Sequence, residues 1–130
     1  YKLIVVPSYR TPKNIIDMSF GVFGDDHLVV KSVDKKAYLS ALSLADYIVV
    51  TSDSTSMISE SAVTGKPIYI ANMKAKKSSK RFNKFYNQFK QMKIIRDLEN
   101  NIETWGYNKL DEASRVAAII KKKMNLNGIN

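Results

Sequence analysis

The feature that most constrains the fold is a regular alternation of short, β-rich apolar runs with longer helix-forming segments. Buried strands that alternate with helices are typical of a parallel sheet covered by helices on both faces. We therefore predict an α/β, Rossmann-like fold in a single domain that spans residues 1–130. The apolar runs are Lys2–Val6, His27–Lys31, Tyr47–Val50 and Pro67–Ala71, with a short fifth run at Lys93–Ile95.

Between these runs lie signals for the starts and ends of helices. Asp34 is a good N-terminal cap for a helix over about Lys35–Leu44, and Gly65 is a good stop for the helix after the third run. An aromatic helix from about Lys80 to Met92 carries an apolar stripe, which we expect to lie in the core. Its members are Phe82, Phe85, Tyr86 and Phe89.

Composition limits the chemistry available to this chain. Cysteine is absent and His27 is the single histidine, so we predict no disulfide, no thiolate or multi-histidine metal site and no cysteine nucleophile. A net charge of +9 would attract nucleic acid, anionic membranes or phosphorylated ligands. Most of the excess is lysine, however, and a shift of amino-acid usage toward A/T-rich codons explains it equally well. No apolar run approaches the ~18–20 residues of a membrane span.

The segment Thr51–Lys66, TSDSTSMISESAVTGK, is the richest in chemistry. It follows a buried strand and opens a helix, and ligands of such sheets bind beyond the carboxyl ends of the strands. Free amides and the positive end of the helix dipole make this start an anion site, and small hydroxyl side chains let a phosphate approach. The alternative is a plain capping cluster. The candidate residues are Ser52, Asp53, Ser54, Thr55 and Ser56.

Glu60 lies one and a half turns into the same helix. Helical spacing places Asp53, Ser56 and Glu60 on one face, while Met57, Ile58 and Ala62 point toward the core. A carboxylate one turn behind a phosphate is well placed to accept hydrogen bonds from a ribose diol. The alternative is a solvated glutamate without a ligand.

Three stretches of this sequence resemble the mitochondrial fission ELM-one-like family, a group of proposed glycosyltransferases. They are ADYIVVTSDSTSMISESAVTGKPIYI, SYRTP at Ser8–Pro12, and the C-terminal run RDLENNIETWGYNKLDEASRVAAII. The resemblance extends over nearly the whole chain. One departure is Tyr9, which stands where the family commonly has the first of two arginines, so we assign it no phosphate role.

The resemblance implies a GT-B architecture, in which two Rossmann-like domains face each other and the C-terminal one binds a nucleotide-sugar donor. This chain would be that C-terminal half, and its own N-terminal domain a partner. Ser54–Ser56 would then meet the diphosphate, and Glu60 the donor ribose. Arg10, with Ser8 and Thr11, would meet the phosphates from the first loop, since a guanidinium pairs two oxygens in plane.

For catalysis, the resemblance implies a metal-independent transferase without a cofactor, whose substrate is a nucleoside diphosphate sugar. The base that activates the acceptor would lie in the N-terminal domain, so no residue of this chain is assigned as catalytic. The lysine-rich composition indicates a bacterial, cytoplasmic protein, and a peripheral position at the inner face of a membrane is the alternative. We expect the loops Ser8–Pro12 and Thr51–Ser56 to lie at one edge of the sheet.

Other functions remain open. A nucleotide-sugar epimerase shares the fold, and a non-catalytic interaction module would use it for a membrane-associated partner. Nucleic acid is a poor fit, because the aromatic residues do not alternate with surface arginines. Lys80 and Arg81 are candidates for phosphate or acceptor contacts, or belong to a solvated basic loop. Lys121–Lys123 complement a helix dipole or face a membrane surface. Trp105 and Tyr107 should pin the C-terminal segment against the sheet or the missing domain.

Overall fold

Strands and helices alternate through the part of the chain that a computed structural model describes, which is residues 1–73, 80–109 and 112–126. Every strand pair is parallel, so the predicted α/β class is confirmed. The elements fall into two units, unit 1 (Tyr1–Ala45) and unit 2 (Asp46–Asn130). Their order is β1 (Ile4–Val5), α1 (Lys13–Phe23), β2 (Leu28–Val29), α2 (Lys35–Leu44), β3 (Ile48–Thr51), α3 (Thr55–Ala62), β4 (Ile68–Ala71), α4 (Lys80–Gln91), β5 (Ile95–Asp97) and α5 (Glu112–Leu126).

Unit 1 contains a two-stranded parallel sheet with Ile4 opposite Leu28. Val29 is buried in this sheet, and α1 packs against β2. His27 Nδ1 accepts a hydrogen bond from the amide of Leu3 at 3.2 Å, so the histidine helps to join the two strands. The local sequence therefore folds as strand, helix, strand, with the histidine in a structural role.

Helix α2 has the bounds that its sequence predicts. The Asp34 carboxylate accepts hydrogen bonds from the amides of Lys36 at 2.9 Å and Ala37 at 3.2 Å. Two of the amides that a helix start leaves without an intrahelical partner are thus satisfied by one side chain. The predicted cap is confirmed.

Unit 2 contains a three-stranded parallel sheet in the order β3-β4-β5. The strands follow one another across the sheet in chain order. Parallel strands are joined by right-handed crossovers, so α3 and α4 lie on the same face of this sheet. Every second strand residue faces these helices, and the core lies between the helices and the sheet. Its buried apolar residues include Ile48, Val50, Ile68, Ile70 and Ile95 from the strands, Ile58 and Ala62 from α3, and Phe89 from α4.

The opposite face of this sheet is crossed by an irregular segment, residues 103–109, which we call the C-terminal strap. The Trp105 ring packs edge-on against Tyr69 with centroids 5.1 Å apart, and the Arg96 guanidinium lies 4.1 Å from the Trp105 ring centre. The Tyr107 hydroxyl donates to the carbonyl of Lys66 at 2.7 Å. Trp105 and Tyr107 therefore pin this segment against the sheet, which was one of the two predicted possibilities.

The predicted position of the fifth strand was wrong by two residues. We expected Lys93–Ile95, whereas β5 is Ile95–Asp97. Lys93 has a φ of 59°, and the amide of Ile94 donates back to the carbonyl of Phe89 at 3.0 Å, so the chain is still turning at these residues. Within the described residues, no helix combines the length and apolar character needed to cross a bilayer.

Candidate functional site

The turn from β3 into α3 in unit 2 carries five of the predicted site residues. Ser52 and Ser54 are 8% and 3% exposed, whereas Asp53, Thr55 and Ser56 lie at the surface. The turn is closed by the amide of Ser54, which donates to the carbonyl of Thr51 at 3.1 Å. Buried and exposed side chains thus alternate through this turn.

Helix α3 begins without a side-chain cap. Ser54 occupies the capping position, but its hydroxyl accepts no hydrogen bond from the first turn. Among the described residues, the amides of Thr55, Ser56 and Met57 also lack an acceptor. An uncapped helix start beside exposed hydroxyls is suited to an anion, because free amides and the helix dipole both favour negative charge. The capping cluster that the sequence left open as the alternative is thus absent at Ser54.

Glu60 is exposed on α3, one turn after Ser56 and about 6 Å further along the helix axis. Helical side chains lean toward the N-terminus, so the carboxylate is directed toward the start of α3. Within the described part of the chain the Glu60 side chain has no hydrogen-bond or ion-pair partner. Ile58 and Ala62 are fully buried on the opposite side, as expected. Asp53 differs from the prediction: it precedes the helix, so it lies in the turn and not on the helical face with Glu60.

In unit 1, the predicted phosphate loop is a tight turn that ends at the start of α1. The amide of Ser8 donates to Thr11 Oγ1 at 2.9 Å, and the amide of Thr11 donates to the carbonyl of Ser8 at 3.0 Å. The amide of Arg10 donates to Ser8 Oγ at 3.3 Å. Both hydroxyls thus stabilise a turn that presents Arg10 at the surface. α1 then begins at Lys13, and Pro12 at the capping position before it offers no capping side chain.

A hydrogen-bonded cluster that sequence reasoning missed lies where β4 and β5 end, and we call it the Asp97 cluster. Asn72 Nδ2 donates to Asp97 Oδ1 at 3.0 Å, Lys90 Nζ donates to Asp97 Oδ2 at 2.5 Å, and the Tyr86 hydroxyl also donates to Asp97 Oδ1. Tyr86 had been predicted as part of the core stripe. Of that stripe only Phe89 is buried, and Tyr86 is half-buried with its hydroxyl on the carboxylate.

The charges in the Asp97 cluster follow from these contacts. Partial burial by itself would raise the pKa of Asp97, but hydrogen bonds from Lys90, Tyr86 and Asn72 outweigh it and leave the pKa below its usual value. Partial burial, together with the hydrogen bond to Asp97 and its charge, raises the pKa of Tyr86 well above 10. At neutral pH the cluster therefore consists of a carboxylate that receives three donors. A tyrosine and a lysine four residues apart on one helix were the signal that could have predicted it.

The remaining candidates are the basic residues before and at the start of α4 and a groove beside β5. Lys80 and Arg81 are exposed at the start of α4, and the rest of the predicted basic loop, residues 74–79, lies outside the described residues. A groove of about 840 Å³ beside β5 is lined by charges of both signs, among them Arg96, Glu99 and Glu103. Because carboxylates in this groove repel an anion, whereas a helix start attracts one, we assign the candidate anion site to the start of α3. The described residues contain no cluster of three or more potential His, Asp or Glu metal ligands.

Comparison with known proteins gives a family match and two curated relatives. A family model described as mitochondrial fission ELM1 matches residues 1–124. Mitochondrial fission protein ELM1 from Arabidopsis thaliana is 29% identical over 126 residues, which cover 93% of this chain and 29% of that protein. Uncharacterized protein RP120 from Rickettsia prowazekii (strain Madrid E) is 39% identical over 93 residues, which cover 69% of this chain and 26% of that protein. No solved structure matches. The chain spans less than a third of the length of either relative.

Proposed function

Because this chain belongs to the mitochondrial fission ELM1 family, we propose that it binds the nucleotide-sugar donor of a GT-B-type glycosyltransferase. The observation that carries the proposal is the start of α3, where Ser54 makes no cap, the first amides have no acceptor among the described residues, and the hydroxyls of Thr55 and Ser56 are exposed. Such a start stabilises a diphosphate without any group having to move. The diphosphate contacts come from Ser54, Thr55 and Ser56.

Glu60 gives the proposal its second ligand contact. Its carboxylate lies one turn behind the phosphates and is directed toward them, so it accepts hydrogen bonds from the ribose diol of the same nucleotide. An anion site alone would fit any phosphate. The additional carboxylate favours a nucleoside diphosphate over inorganic phosphate.

In unit 1, we propose Arg10 as a phosphate contact in its own right. It is exposed on a turn whose geometry is set by the hydroxyls of Ser8 and Thr11. A planar guanidinium binds two phosphate oxygens at once and offsets the charge of the leaving diphosphate. In unit 2, Lys80 and Arg81 would provide the positive charge that other transferases take from a metal ion, so we expect added magnesium to change nucleotide affinity little.

The transferase itself requires more than this chain, because the relatives are more than three times as long as the matched region. We propose that a second domain supplies the acceptor site and the base. The name of the Arabidopsis relative favours a second candidate function, a non-catalytic module that uses the same fold to bind a partner at a membrane surface.

The test is calorimetric titration of the purified protein with uridine, guanosine, adenosine and cytidine diphosphates and with the matching nucleosides. We expect at least one diphosphate to bind, with or without magnesium. Glu60→Gln should weaken its binding by ~1–3 kcal/mol through loss of a charged acceptor, and should leave stability unchanged since the volume and helix propensity are kept. Arg10→Ala should weaken the diphosphate much more than the nucleoside.

The matched control is Glu99→Gln, which makes the same charge change at an exposed position away from α3. It should bind nucleotides as the wild type does. If Glu60→Gln and Arg10→Ala also bind like the wild type, the nucleotide site is not where we place it. If no diphosphate binds to the wild type, the interaction module becomes the better description.

A further inference from the structure

The three strands of unit 2 are connected at their carboxyl ends by side chains. Ser52, directly after β3, accepts a hydrogen bond on its hydroxyl from the amide of Met73 at 3.0 Å. Met73 follows Asn72, and Asn72 is bound to Asp97 at the end of β5. A continuous set of contacts therefore runs from the turn before α3, through the segment after β4, to the last residue of β5.

The same carboxylate also holds α4. Tyr86 and Lys90 are one turn apart on this helix, and both donate to Asp97. The C-terminal end of α4 leads to the start of β5, so α4 runs antiparallel to the strands. The N-terminal end of α4 therefore lies near the carboxyl ends of the strands. Lys80 and Arg81 lie about 7.5–9 Å of helix rise beyond Tyr86, on the side of the sheet where ligands of such folds bind.

We propose that Asp97 is a positioning residue for the diphosphate, because it fixes both the turn that leads into α3 and the direction of α4. One arm reaches the turn through Asn72, Met73 and Ser52. The other arm orients the helix that carries Lys80 and Arg81. This inference rests on the proposed function, and it adds a residue that touches no ligand to the determinants of diphosphate affinity.

The charge of the cluster suits this role. The carboxylate is ionised at neutral pH because its three donors keep the Asp97 pKa low, so all three hydrogen bonds are charge-assisted and stronger than neutral ones. An amide in its place would be neutral, and its NH2 group would face either Lys90 or the donors of Asn72 and Tyr86. Asp97→Asn therefore weakens both arms while keeping the shape of the side chain.

The first measurement compares the binding of the preferred nucleoside diphosphate, its nucleoside and inorganic pyrophosphate. For Asp97→Asn we expect roughly three- to tenfold weaker binding of the diphosphate and pyrophosphate, as for other residues that act without ligand contact. Nucleoside affinity should stay unchanged, which separates positioning from a general loss of folded protein. Tyr86→Phe, which removes one donor and keeps the ring, should show a smaller loss of the same kind.

The control is Glu103→Gln, which breaks the Arg96–Glu103 ion pair on the other side of the same sheet. It should leave all three affinities unchanged. If the wild type binds the diphosphate and Asp97→Asn binds it equally well, the positioning role is wrong and the proposed function stands. Equal losses for nucleoside and diphosphate would also overturn it, since they indicate a purely structural residue.

A second measurement decides the inference even if the wild type binds no nucleotide and the proposed function fails. The amide of Met73 donates to Ser52, so its hydrogen exchange reports whether the arm to the α3 turn is held. The hydrogen-exchange rate of the Met73 amide should be higher in Asp97→Asn than in the wild type. In Glu103→Gln the rate should equal that of the wild type. Unchanged exchange at Met73 in Asp97→Asn would show that Asp97 does not hold the turn.

Discussion

At the scale of single residues, two of the described positions of unit 2 have a left-handed backbone, Gly65 with φ 74° and Lys93 with φ 59°. Gly65 ends the turn after α3, and a Cβ there would also lie 2.7 Å from Lys109 Cε. Lys93 turns the chain from α4 toward β5, and its carbonyl accepts a hydrogen bond from Trp105 Nε1 at 2.8 Å. Glycine adopts this left-handed backbone without strain, whereas lysine adopts it at a cost in free energy.

This difference gives a paired prediction of stability. Gly65→Ala should lower the free energy of unfolding by about 1–2 kcal/mol, the cost of a left-handed L-residue. Lys93→Gly should raise the free energy of unfolding, by a smaller amount because glycine also loses more entropy on folding. Urea denaturation measures both. Two changes of the same sign would mean that side-chain contacts, and not the backbone, dominate at these positions.

At the scale of elements, α2 and α3 differ in how they begin. Asp34 caps α2 with two hydrogen bonds, whereas Ser54 stands at the same position of α3 and makes none. Capping serves the stability of a helix, while free amides serve a ligand. Both starts carry a good capping residue, and we expect the first to serve stability and the second to serve the proposed ligand.

Substitution of the two capping residues tests this distinction. Asp34→Ala should lower the free energy of unfolding by about 1 kcal/mol, as loss of a cap does. Ser54→Ala should change it far less, because no cap hydrogen bond is lost, and should weaken diphosphate binding. Thermal unfolding with and without the diphosphate measures both effects. A loss of stability in Ser54→Ala as large as in Asp34→Ala would show that Ser54 does cap α3.

At the scale of the whole molecule, two tyrosines link stability to alkaline pH. Partial burial raises the pKa of Tyr86, with the hydrogen bond to Asp97 and its charge adding to the effect, and burial also raises the pKa of Tyr107. In the unfolded chain both lose their proton near pH 10. Between that pH and the raised values the folded protein binds more protons than the unfolded chain, so its stability falls as pH rises.

The contribution of these tyrosines is therefore complete below about pH 10 and is lost progressively above it. Tyr86→Phe should show a shallower fall in the free energy of unfolding between about pH 10 and pH 11 than the wild type. Tyr9→Phe is the matched control, because Tyr9 is 93% exposed. Denaturant titrations at several pH values measure the slopes. Equal slopes in all three proteins would contradict the predicted role of Tyr86.

The sequence by itself determined the fold class, the family and the bounds of α2. These depend on local order along the chain: strand-forming runs that alternate with helices, a capping aspartate before a helix, and a contiguous motif. The motif also pointed to the residues around α3 as candidates, and their ligand stays a prediction. So does the shared edge of the Ser8–Pro12 and Thr51–Ser56 loops, since these loops belong to different units.

Only the tertiary structure decided which side chains meet across the sheet. Asp97 and Tyr86 are hydrogen-bonded although one ends a strand and the other looked like a core aromatic, and Trp105 lies on Tyr69 from 36 residues away. It also decided that Ser54 leaves α3 uncapped and that Lys93 turns before β5 begins. The physical reason is the same in each case. Whether a polar group is satisfied depends on partners that packing brings close, and a pattern along one chain holds no information about that distance.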